Sequence, residues 1–124
     1  MKRRLAVFVL LTMVLMLAAC AAGTFKTNSY KTLAASATIY EQGYPAFLDL
    51  YNKGIISFET KEKGRALAIK YWAAYHAATN ALIAYDAVDS AENKDRVTAA
   101  VLESQKFLAE LTAYIQPFLV REVK

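Results

Sequence analysis

Residues 67–88 read LAIKYWAAYHAATNALIAYDAV. Within them Leu67, Tyr71, Ala74, Ala78, Ala81, Tyr85 and Val88 recur at alternating intervals of four and three, which keeps them on one side of a helix. A strand would alternate by two. A second set, Ala68, Trp72, Tyr75, Thr79 and Leu82, runs beside the first. Two adjacent apolar stripes imply contact with two partners, so this helix belongs at the centre of a helical domain, with alanines that let its neighbours approach closely. Its start is marked by Ser57, whose hydroxyl can cap free amides, and by Glu59, which suits the positive end of the helix dipole. Gly64 costs about 1 kcal/mol relative to alanine inside a helix, and a bend is expected there.

The flanking segments carry the same rhythm. Upstream, Tyr30, Leu33, Ala37, Tyr40, Tyr44, Phe47 and Tyr51 are spaced three and four apart. They predict a helix over about 27–52, with Gly54 supplying the left-handed position that ends it. Pro45 removes a backbone donor and biases Tyr44 away from helical angles, so a kink is expected at that point. Downstream, Val97, Val101, Ser104, Leu108, Leu111, Ile115 and Phe118 predict a helix over about 91–116, beginning after Ser90 or Asn93 and ended or bent by Pro117. Residues 121–124 are expected to fray. Connections of roughly five residues favour antiparallel neighbours. The expected fold is therefore all-α: an up-down-up three-helix bundle over 27–120, with the central helix at about 57–88.

The chain has 124 residues, enough for one small domain. It carries 15 basic and 11 acidic side chains, a net charge of +4, but Lys2, Arg3 and Arg4 account for three of those positives. Without them no basic face remains, and a nucleic-acid partner is excluded. A single cysteine rules out an internal disulfide, and one Cys with one His rules out the common all-Cys/His zinc sites.

The first four residues are followed by an apolar run from Leu5 to Leu17 and then by Ala18, Ala19 and Cys20. A charged start, a short apolar core and small residues before a cleavage point form a secretory signal. Counting on through Ala22 gives roughly 27 Å of helix, the lower edge of a bilayer crossing, so an uncleaved anchor stays open. The tetrapeptide Leu17-Ala18-Ala19-Cys20 resembles the lipobox of bacterial lipoproteins, and it holds the chain's one cysteine. The resemblance covers only the first twenty or so residues. It implies recognition of Leu17, Ala18 and Ala19 by a dedicated peptidase, removal of residues 1–19, and diacylglyceryl and N-acyl lipid on Cys20, with no other cofactor. Two or more acyl chains suffice for lasting attachment, at about 0.8 kcal/mol per buried CH₂. Residues 20–26 then form a lipidated tether. By analogy with lipoprotein sorting in enteric bacteria, Ala21 in place of aspartate implies the periplasmic side of the outer membrane; a Gram-positive host implies the outer face of its plasma membrane.

No catalytic constellation is visible, and the chain reads as a non-enzyme. His76, with Asn80 one turn on, lacks the orienting partner a general base needs. Asp86, Asp89, Glu92 and Asp95 cluster in sequence but are interrupted by Lys94 and Arg96 and lack the ligand alternation of a calcium loop. Lys61, Lys63, Arg65 and Lys70 are interleaved with Glu59 and Glu62, as on a solvated face. The least ordinary feature is aromatic: Tyr40, Tyr44, Tyr71, Trp72 and Tyr75 suggest a groove for a peptide, glycan or hydrophobic ligand, against the alternative of an ordinary core with hydroxyls at its rim. The leading expectation is a structural or protein-interaction role at the envelope, with membrane lipid bound through Cys20 and an envelope protein as partner. The binding module comes second. A phage-derived envelope or lysis accessory comes third, since spanin subunits are also small lipoproteins, though usually proline-rich where this chain has only Pro45 and Pro117.

Overall fold

The computed structural model describes residues 2–9 and 24–122. The described residues are helical, with no strand among them: α1 (2–9), α2 (Phe25–Asn52), α3 (Phe58–Ala87) and α4 (Ala91–Glu122). α1 lies within the expected signal segment. Leu17, Ala18, Ala19 and Cys20 lie outside the described residues, as do Val123 and Lys124.

Each long helix opens on a hydroxyl. Thr24 caps α2 by accepting from the Thr27 amide at 3.2 Å, Ser57 caps α3 by accepting from Thr60 at 3.1 Å, and the Ser90 hydroxyl accepts from Asn93 at 3.1 Å before α4. Gly54, at φ +76°, ends α2 as the sequence predicts. There the Gly54 and Ile55 amides donate to the carbonyls of Tyr51 and Leu50, both at 2.9 Å.

Two boundaries and one expected bend differ from the sequence reading. α2 begins at Phe25 instead of 27, taking two residues from the expected tether, because the Phe25 ring packs edge-on against Tyr85 at 5.3 Å. α3 runs unbroken through Gly64, where a bend was expected. α4 continues through Pro117 to Glu122, past the expected end at 116 and into the stretch expected to fray. Phe118 and Leu119 pack against the main core and hold the last turns in place.

The ends of the helices meet in order. Phe25 touches Tyr85, Ser36 bonds Tyr71, and Tyr51 lies 6.3 Å from Phe58, so α2 and α3 run antiparallel. Lys94 sits over the Phe25 ring at 5.0 Å and Phe118 lies 6.0 Å from Phe47, so α4 runs with α2. Tyr114 donates to the Thr60 carbonyl at 3.0 Å, closing α4 onto the start of α3. The α3–α4 interface is the most extensive of the three. The small buried residues Ala68, Ala74 and Ala78 on α3 permit that approach.

Two buried clusters result. The larger joins Tyr40, Phe47, Leu50, Ile56, Ala68, Tyr71, Leu108, Leu111 and Ile115; the smaller joins Leu33, Ala78, Leu82 and Val97 nearer the start of α2. On α2 the buried residues are Ser29, Leu33, Ser36, Tyr40, Phe47 and Leu50: Leu33, Tyr40 and Phe47 are as expected, while Ser29, Ser36 and Leu50 are buried in place of the next residues, Tyr30, Ala37 and Tyr51. Tyr30, expected inside, is exposed. Serine burial is inexpensive here because Ser29 and Ser36 donate to the carbonyls of Phe25 and Leu33, each at 2.9 Å.

Candidate aromatic site and adjoining cleft

The five aromatic residues singled out in the sequence do come together. Tyr40 on α2 stacks on Tyr44 at 5.3 Å and on Tyr71 of α3 at 5.1 Å, with Trp72 also at 5.1 Å. Tyr75 meets Trp72 edge-on at 5.2 Å, and His76 stacks on the indole at 5.2 Å while meeting Tyr75 edge-on at 5.9 Å. Centroid separations of this size lie in the favourable range for aromatic pairs. The rings therefore form a continuous ladder along the α2–α3 seam.

The ladder is filled with its own side chains. Tyr71 is fully buried, and its hydroxyl shares a 3.0 Å hydrogen bond with Ser36 Oγ. Tyr40 is buried, whereas Tyr44, Trp72 and Tyr75 are half-buried at the rim. Burial raises the pKa of Tyr40, an effect the nearby Trp72 indole N–H partly offsets. Burial also raises Tyr71, with the Ser36 hydrogen bond opposing. Tyr44 is raised by burial too, with Arg65 opposing and Glu62 adding to the shift. Every buried side-chain nitrogen or oxygen among the described residues has a partner.

Open space lies on the other side of Tyr40. A cleft of about 230 Å³ separates α2 from α4. Ile39, Tyr40, Gln42, Gly43 and Tyr44 form one wall, and Leu108, Leu111, Thr112, Ile115, Gln116 and Leu119 form the other. Two of the five predicted residues, Tyr40 and Tyr44, reach it, while Tyr71, Trp72 and Tyr75 do not. The lining is mainly apolar, with the amide side chains of Gln42 and Gln116 and the hydroxyl-bearing Thr112, Tyr40 and Tyr44 as polar groups that could orient a ligand. Gly43 sets the spacing of the walls, since a Cβ there would stand 3.3 Å from Ile115 Cδ1. On the α4 wall, Leu108, Leu111 and Ile115 were read in sequence as part of the apolar stripe, and Thr112, Gln116 and Leu119 were not singled out. That stripe carries no local sign of a gap, which arises from the facing glycine on a different helix.

The other candidates resolve into surface chemistry. His76 and Asn80 are exposed, and among the described residues no side chain hydrogen-bonds the His76 ring. Asp86 pairs with Lys26 and Glu92 with Arg96 at 2.7 Å. Among the described residues no group of His, Cys, Asp and Glu is placed to hold a metal ion. In the basic cluster Lys63 pairs with Glu59 at 3.4 Å and Arg65 with Glu62 at 3.5 Å, while Lys61 lies over the Tyr51 ring at 4.2 Å. No helix among the described residues is long and apolar enough to cross a membrane.

No protein-family model matches the chain, and no curated protein or solved structure matches it.

Proposed function

We propose that the chain is a lipid-anchored, non-enzymatic protein of the bacterial envelope, whose body is an up-down-up three-helix bundle with a structural or protein-interaction role. Leu17-Ala18-Ala19-Cys20 carries this reading, because the one cysteine stands where a signal of the right length ends. Only three residues in sequence separate Cys20 from the Thr24 cap, which supports it, since a lipid on that thiol would hold the helices close to the bilayer. Outer-membrane attachment on the periplasmic side follows from Ala21. The test compares the full chain with Cys20→Ser in the native envelope. The expected wild-type product starts at residue 20, carries acyl mass and stays with membranes, while the serine variant keeps residues 1–19. Equal processing and equal membrane retention of the two proteins would overturn the anchor.

The cleft between α2 and α4 favours a second reading, a module that holds a hydrophobic ligand. It rests on the apolar lining around Tyr40 and Tyr44. A fluorescent fatty acid is the probe, and Thr112→Trp fills the space from a half-buried position. Saturable binding that this change abolishes, with melting unaltered, supports the module; absence of saturable binding to the wild type removes it.

A further inference from the structure

α3 is apolar on more sides than its neighbours cover. Opposite its buried residues runs a third stripe, Ala66, Ile69, Ala73, His76, Asn80, Ile83 and Ala87, again spaced three and four apart, and all seven are exposed. Ile69 and Ile83 are 56% and 63% exposed. From Tyr71 to Tyr85 the helix contains no Asp, Glu, Lys or Arg. A face of that length without charge is the mark of a helix covered on its outer side as well.

The stripe is approximately symmetric about His76, its two isoleucines each seven residues away and an alanine at each end, with Ala73 and Asn80 as the one unlike pair. Reversal places Ile69 on Ile83, Ala66 on Ala87 and Ala73 on Asn80, while His76 maps onto itself. The flanks are complementary under the same operation: Arg65 stands beside the stripe at one end and Asp86 at the other. Each is exposed and lies in a surface ion pair, Arg65 with Glu62 and Asp86 with Lys26. We infer that the occupant of this face is a second copy of the chain, packed antiparallel along α3 about a two-fold axis at His76, with Arg65 of each copy facing Asp86 of the other. A parallel arrangement would instead set Arg65 beside Lys70 of the second copy, bringing like charges together. The isologous contact spans about 32 Å of helix. A single helix pair gives an interface of the small, weak class, so the dimer forms in a concentration-dependent way. The inference does not depend on the lipid anchor.

Single cysteines in the full-length Cys20→Ser chain, purified in a mild non-ionic detergent, test the geometry. His76→Cys is expected to oxidise to a disulfide dimer. Ala66→Cys alone is expected to stay uncrosslinked, whereas a mixture of Ala66→Cys and Ala87→Cys chains crosslinks. Ile83→Glu is expected to weaken dimerisation at least tenfold by sedimentation while leaving the melting curve in place. Arg65→Glu is expected to weaken it, and Arg65→Glu with Asp86→Arg to restore it. The proposal is overturned if Ala66→Cys crosslinks with itself, or if His76→Cys crosslinks no better than Glu103→Cys on the exposed side of α4.

Discussion

Gly64 shows at the scale of one residue how a local reading and a tertiary one part company. In sequence it is a helix weakener, and Gly→Ala in a helix ordinarily stabilises by about 1 kcal/mol. In the structure it is the flat surface on which the fully buried Phe47 ring lies, and a Cβ would stand 2.8 Å from Phe47 Cζ and closer still to Cε1. Gly64→Ala is therefore expected to destabilise by about 1–3 kcal/mol, whereas Gly43→Ala, which meets only the end of the Ile115 side chain, changes urea stability by less than about 1 kcal/mol. The Phe47 contact comes from another helix and leaves no mark within several residues of Gly64. Ser36 is the second instance: periodicity chose Ala37, yet the hydroxyl that bonds both Leu33 and Tyr71 makes Ser36 the interior residue. Tyr71→Phe is expected to cost about 1 kcal/mol in the same assay. Burial raises the phenol pKa of Tyr40, Tyr44 and Tyr71. Their contribution is whole below about pH 10, where unfolded tyrosine begins to ionise, and is lost as pH climbs through the folded values. Urea midpoints should accordingly hold between pH 8 and 9.5 and fall at pH 11, with a smaller fall in Tyr71→Phe.

At the scale of the element, caps and spacing were legible, and so was a helix that continues through Pro45, but the continuation past Pro117 was not. Ser57, Gly54 and Ser90 act within their own turns, so sequence places them well. Pro117 was read as ending or bending the helix because its ring removes one backbone bond; the helix continues, since Phe118 and Leu119 beyond it contact the core and their burial outweighs that loss. Pro117 is itself exposed. Pro117→Ala is expected to stabilise the protein by up to about 3 kcal/mol, measured as a higher urea midpoint at unchanged slope. The aromatic site was legible in its members because Tyr40, Tyr71 and Trp72 share a seam between two helices. The cleft was not, because α4 supplies half of it and sequence spacing says nothing about which helices stand apart.

At the scale of the whole molecule, apolar burial is uneven. The cluster around Phe47, Tyr71 and Leu111 is large and rich in rings, while the one around Leu33, Ala78 and Val97 is smaller and built partly from alanine. Amide exchange should follow this division: amides at Leu33, Leu82 and Val97 are expected to exchange faster than those at Leu50, Tyr71 and Leu111, and equal rates at all six would show that the body opens only as one unit. The relative direction of α2 and α4 has a mechanical result. Because the two run the same way, whatever precedes Thr24 and whatever follows Glu122 depart from opposite poles, separated by about 45 Å of rigid helix. The body is in that sense a strut: a load applied at one pole is passed lengthwise through three helices at once, and a domain fused at the other is held at a set stand-off.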